Sequence, residues 1–127
     1  MKSILFVDDH EVLARLACEI LQEEGYVAKA AYDGYEALAQ LDREKFDLLV
    51  TDYCMPGMNG LELARLVREK APDFPVIVVS GYSEMEGGGE VSAWIEKYHL
   101  FPDLLGKIEL LLSEPPEGAK TELLKQA

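Results

Sequence analysis

Three stretches of this chain are apolar on consecutive residues for the length of one strand, and each stops at a polar side chain. They are Ser3-Ile-Leu-Phe-Val7 before Asp8-Asp9, Asp47-Leu-Leu-Val-Thr51 before Asp52, and Pro75-Val-Ile-Val-Val79 before Ser80. A strand with one wet face alternates apolar and polar residues, whereas one buried on both faces is apolar throughout. The pattern therefore calls for a parallel sheet covered on both sides. Between the strands the periodicity turns helical. Val12, Leu13, Leu16, Ala17, Ile20 and Leu21 share one helical face, and Gly25 ends that helix. Tyr26 to Ala31 forms a second strand, Asp33-Gly34 turns into a helix carrying Ala37, Leu38 and Leu41, and Asn59 caps a helix carrying Leu63, Leu66 and Val67. Val91 to Glu96 reads as a fifth strand delivering Lys97, and a last helix runs from about Pro102 to Leu112.

Strands alternating with amphipathic helices make a doubly wound α/β domain with five parallel strands and helices on both faces. Its 127 residues suit one domain, residues 1–112, followed by a flexible C-terminal tail over 113–127 that Ser113-Glu-Pro-Pro-Glu-Gly118 cuts off from regular structure. In that tail Leu123-Leu124 reads as part of a frayed terminus, and Met1-Lys2 reads as a true start. With 12 Lys+Arg against 24 Asp+Glu the formal net charge is −12, a field that repels nucleic-acid phosphates and anionic lipid. No nucleic-acid or membrane partner is expected. Cys18 and Cys54 lack the spacing of a zinc site or disulfide framework, and no signal or membrane-length apolar run occurs, so a cytoplasmic address is expected.

In open α/β sheets the site lies beyond the carboxyl ends of the strands. There the fold gathers Asp8, Asp9, Asp52, Ser80 and Lys97. Two carboxylates about 4 Å apart repel by about 4 kcal/mol at an effective dielectric of about 20, so three of them need a cation or protons to coexist. One lysine does not neutralise three acids. A hard divalent ion does, and Mg²⁺ characteristically takes one or two carboxylates together with water and phosphate oxygens. An acidic cation site beside an ammonium and a hydroxyl is built for phosphoryl chemistry. Asp33, Asp47, Asp73 and Asp103 are assigned instead to turns and caps, and His10 to an exposed position beside Asp9.

The ordered set Asp8-Asp9, Asp52-Tyr-Cys-Met-Pro-Gly-Met-Asn-Gly60, Val-Ile-Val-Val-Ser80-Gly81 and Lys97 resembles the receiver domain of two-component response regulators, over about residues 2–112. The resemblance implies a flavodoxin-like strand order 2-1-3-4-5. It implies that Asp52 accepts a phosphoryl group from a histidine kinase or phosphotransfer protein. By the same resemblance Asp8, Asp9, Asp52 and the backbone carbonyl of Cys54 hold Mg²⁺, Lys97 pairs with a phosphoryl oxygen, and Ser80 turns its hydroxyl toward the new group. Trp94 occupies the place of a switch aromatic. Tyr82 and Cys54 stand where the family tunes acyl-phosphate lifetime. The function implied is that of a phosphoacceptor signalling domain, assisting its own phosphotransfer and dephosphorylation, which regulates a downstream protein and has room for weak homodimerisation.

Two departures stand out. Only residues 81–90, including Gly87-Gly-Gly89, separate Ser80 from the fifth strand, so the crossover helix there is expected to be short, irregular or missing. Lys97 is followed by Tyr98 where the family typically has proline, which argues against a cis peptide. A receiver-like interaction module working without phosphorylation is the alternative reading. A small-substrate phosphatase with an Asp nucleophile would need an acid where Cys54 stands.

Overall fold

The computed structural model describes residues 1–81, 91–97 and 100–112. In chain order the elements are β1 (Ser3–Val7), α1 (Glu11–Glu23), β2 (Val27–Ala31), α2 (Gly34–Arg43), β3 (Leu48–Asp52), α3 (Gly60–Lys70), β4 (Val76–Ser80), β5 (Ala93–Glu96) and α4 (Leu100–Leu112). All strand pairings are parallel, in the order β2-β1-β3-β4-β5. The doubly wound sheet read from the apolar runs is therefore the observed fold. The expected irregular crossover helix and Tyr82 fall within 82–90, the Lys97–Tyr98 peptide involves residue 98, and the tail is 113–127; all lie outside the described residues.

The pleat sorts successive side chains to opposite faces. Ile4, Phe6, Leu48, Val50, Ile77, Val79 and Ile95 pack with Ala14, Ala17, Cys18 and Leu21 of α1 and with Leu100, Leu104 and Ile108 of α4. Leu5, Val7, Leu49, Val76 and Val78 pack on the other side with Ala37 of α2 and Leu63, Ala64 and Val67 of α3. Each fully buried Leu, Ile or Phe contributes about 1.5–3 kcal/mol, which is why the fully buried middles of β1, β3 and β4 are apolar and polar residues stand only toward the strand ends.

The face of α1 is rotated from the one its periodicity predicts. Val12 and Leu16 are exposed at 63% and 44%, while Ala14, Ala17, Cys18 and Leu21 are buried. Small side chains let the helix backbone approach the sheet closely, so the contact is centred on Ala14 and Ala17 rather than on the bulkiest residues. Burial also pushes the Cys18 thiol up to about 11, which keeps it protonated. The fifth strand begins at Ala93 rather than Val91, and the last helix begins at Leu100.

Candidate phosphoacceptor site

The two buried acidic residues at the carboxyl edge, Asp8 and Asp52, are held by hydrogen bonds of the chain around them. Asp8 follows β1, and its N–H donates to the Ala31 carbonyl at 3.1 Å while its Oδ1 accepts from the His10 N–H at 2.9 Å. His10 is exposed, as expected, and is also the N-cap of α1: its Nδ1 accepts from the Leu13 N–H at 3.1 Å. Asp52 ends β3. The Thr51 hydroxyl donates to the Asp52 carbonyl at 3.0 Å and the Tyr53 N–H donates to the Val79 carbonyl at 2.7 Å, so the chain is held on both sides of the carboxylate. Ser80 ends β4, buried and in register with Glu96, and Lys97 follows β5.

The loop after Asp52 returns abruptly into α3. Gly57 has φ +81°, a conformation that L side chains rarely adopt, and it lies against the Tyr35 ring. Asn59 and Glu62 close a reciprocal capping box at 2.8 and 3.2 Å. Gly60 then donates its N–H to the Tyr53 carbonyl at 2.8 Å. A Cβ on Gly60 would overlap the Asp52 carbonyl oxygen and stand 3.0 Å from Tyr53 Cα, so only glycine lets α3 start this close to the end of β3.

Carboxylate oxygens of Asp8, Asp9 and Asp52 all lie within 4.8 Å of one another. Asp8 and Asp52 are buried and Asp9 is exposed, which leaves the cluster open on one side. Lys97 Nζ sits 3.2 Å from Asp52 Oδ2 and 3.4 Å from Asp8 Oδ2. The five residues expected to converge thus share one edge of the sheet. Cys54, two residues beyond Asp52, is exposed in the same loop. Trp94 points into the α2–α3 layer, with its ring 6.5 Å from that of Tyr53 at 46°. Sequence reasoning missed the His10 cap, because histidine is outside the usual Ser/Thr/Asp/Asn set, and the Thr51 hydroxyl bond, which has no periodic signature.

Desolvation raises the Asp52 carboxyl above its ordinary value, and the neighbouring Asp8 and Asp9 charges add to the rise while Lys97 opposes it. For Lys97, burial works against the charge, but attraction to Asp52 and Asp8 outweighs it and the net shift is upward. The donor set suits a hard divalent cation: three carboxylates within reach of one point, two of them desolvated, with Lys97 against them.

The signs yield a stability prediction. A carboxyl whose folded pKa is raised stabilises the fold below its unfolded pKa, and this contribution disappears as pH climbs through the folded pKa. Ionised Asp52 is therefore a net cost at neutral pH. Asp52→Asn, a neutral isostere, is expected to raise the melting temperature at pH 7 without divalent cation, with the margin narrowing as pH falls toward the ordinary aspartate range near 3.8. Thermal melts of both proteins from pH 7 to 4 check this. A margin that widens on acidification contradicts the assignment.

Comparison with known proteins decides the family. Residues 4–93 match the model of the response regulator receiver domain. The chain belongs to that family. It is 31% identical over 118 residues to the response regulator receiver protein CpdR of Brucella abortus, covering 88% of this chain and 98% of that one. It is 33% identical to the response regulator MprA of Mycobacterium leprae, covering 93% of this chain but 55% of that protein, so it spans about half the length of the mycobacterial relative. Among solved structures, TrrA of Thermotoga maritima in complex with Mg²⁺-BeF is 36% identical with a TM-score of 0.81, over 88% of this chain and all of that one. The complex of histidine kinase ThkA with TrrA matches at 37% identity and a TM-score of 0.80, over 89% of this chain and 100% of that one. This receiver domain is thus of the two-component signalling type. No helix among the described residues is long and apolar enough to cross a membrane.

Proposed function

We propose that Asp52 is the phosphoacceptor of this receiver domain, taking a phosphoryl group from a phosphohistidine on a histidine kinase or phosphotransfer protein. The observation that carries this reading is the convergence of Asp8, Asp9 and Asp52 on one point, with Lys97 bridging two of them. The TrrA complexes with Mg²⁺-BeF and with a kinase support it by likeness.

Asp8, Asp9 and Asp52 would hold Mg²⁺, with the Cys54 carbonyl as a further oxygen donor. When bound, the ion neutralises carboxylate charge and charge on the transferred group. Asp52 attacks phosphorus in line; the new bond is from its carboxylate oxygen to phosphorus, and the bond broken joins phosphorus to the donor's imidazole nitrogen. The electron pair leaves with the imidazole. Lys97 then exchanges its Asp52 contact for a phosphoryl oxygen, and Ser80 donates its hydroxyl to another. Ser80 moves with the start of the loop to β5, and Trp94 follows. This is a local charge event biasing a two-state element. Tyr82 and Cys54 regulate water access and hence hydrolysis, which the domain assists on itself.

The working unit is residues 1–112, with 113–127 as a tail, acting in the cytoplasm on a downstream protein and associating with itself only weakly. The net charge of −12 favours neither nucleic acid nor membrane as partner. Incubation with acetyl phosphate and Mg²⁺ tests the reading. Intact mass should rise by one phosphoryl group in the wild type and not in Asp52→Asn. An unmodified wild type favours an interaction module that works without phosphorylation.

A further inference from the structure

We infer that Arg68, at the far end of the sheet from the acidic cluster, is a positioning residue that sets the register of β5 and so aims Lys97. The inference deepens the phosphoacceptor reading and rests on it for its kinetic consequence.

Arg68 lies on the last turn of α3. One terminal nitrogen, Nη1, donates to the Pro72 carbonyl at 3.0 Å, and the other, Nη2, donates to Ser92 Oγ at 2.8 Å. Its Nε is shut off from solvent and makes no hydrogen bond among the described residues, so the two terminal bonds alone position the guanidinium. Ser92 Oγ also accepts from the Val76 N–H at 3.0 Å, and the Ser92 N–H donates to the Val76 carbonyl at 2.7 Å. Val76 opens β4 and Ser92 stands one residue before β5, so this double tie fixes the first rung from which Ile77↔Ala93, Val78↔Trp94, Val79↔Ile95 and Ser80↔Glu96 follow.

The tie matters because β5 is weakly specified by itself. It is an edge strand of four residues, and only Ile95 within it is fully buried. With one fully buried side chain in four residues, little core packing backs up the register of β5, and a slip by one residue would turn every side chain to the other face and displace the strand end by about 3.3 Å. Lys97 meets Asp52 and Asp8 at 3.2 and 3.4 Å, contacts that such a displacement breaks. Arg68 therefore acts on the reacting group through Ser92 and the strand.

The test uses the sign of two effects. An ammonium between Asp52 and Asp8 opposes cation binding, so a displaced Lys97 tightens Mg²⁺ binding while slowing phosphorylation. Damage that merely loosens the fold weakens Mg²⁺ binding instead. Calorimetric titration of Arg68→Met with Mg²⁺ should show affinity raised severalfold, and its phosphorylation by acetyl phosphate at saturating Mg²⁺ should fall about tenfold; in a Lys97→Met background Arg68→Met should add less than about twofold to either. Ser92, which Arg68 holds, is about 17 Å of strand from Lys97 at about 3.3 Å per residue, so direct charge loss is screened in physiological salt. Ser92→Ala, which removes no charge, should change both quantities in the same directions and also serves if Arg68→Met does not fold. Unchanged or weaker Mg²⁺ binding in a folded variant, or effects additive with Lys97→Met, overturns the inference. If the wild type takes up no phosphoryl group, the phosphoacceptor reading fails separately, and the Mg²⁺ arm still decides this one.

Discussion

Lys97→Ala is expected to slow phosphorylation by acetyl phosphate about a hundredfold or more at saturating Mg²⁺, and at the same time to bind Mg²⁺ more tightly than the wild type. Both effects follow from one charge. Lys97 Nζ lies between Asp52 Oδ2 and Asp8 Oδ2, so before the reaction it offsets two buried carboxylates and during the reaction it faces the oxygens of the transferring group. Removing one preorganised donor of this kind typically costs about 10²–10³ in rate. The same ammonium repels an incoming cation, so its loss leaves a more negative site that Mg²⁺ fills more readily. Without cation the variant should melt lower, because two desolvated carboxylates then face each other unrelieved. Stopped-flow phosphorylation with calorimetric Mg²⁺ titration separates the two effects. A rate within twofold of wild type removes Lys97 from the chemistry, and weaker Mg²⁺ binding contradicts the electrostatic account.

Gly60→Ala is expected to destabilise the domain by about 1–3 kcal/mol, the range for forcing extra volume into a packed region. Helix propensity alone favours alanine by about 1 kcal/mol, so the sign of the result discriminates. The clash is with backbone, the Asp52 carbonyl oxygen and Tyr53 Cα, and neither can rotate away as a side chain does. Relief requires α3 to withdraw from the end of β3, stretching the Gly60 N–H bond to the Tyr53 carbonyl and shifting the loop that carries Cys54. Phosphorylation should therefore slow as well. Gly34→Ala is the internal control: its Cβ meets side chain only, Met58 Sδ, which can swing away, and Met58 Cβ and Cγ at 3.1 Å, and should cost less than a clash with backbone. Denaturant unfolding of the three proteins ranks them, and a Gly60→Ala variant as stable as wild type refutes the close approach.

The sheet and its acidic edge are legible in the sequence because both follow from a local rule. A strand buried on two faces cannot hide a charge, so the first polar residue after Val7, Val50-Thr51 and Val79 marks where the sheet ends and the site begins. The lateral rotation of α1 is not local. Its stripe of Val12, Leu13 and Leu16 is as apolar as the face containing Ala14, Ala17 and Cys18, and only docking against β1 and β2 selects the smaller residues. Gly60 reads in sequence as a loop glycine, since the atom it makes room for lies eight positions earlier. Arg68 and Ser92 are 24 residues apart, with no periodic signature to connect them. His10 escapes the cap rule for a chemical reason: only its neutral imidazole offers Nδ1 as an acceptor.

Locating the phosphoryl group tests the central claim most directly. Wild-type protein treated with acetyl phosphate and Mg²⁺, then digested and fragmented by tandem mass spectrometry, should carry the group on Asp52 alone, and chelation of the cation beforehand should abolish it. A phosphoryl group on any other side chain, or full modification in the presence of chelator, would contradict the account.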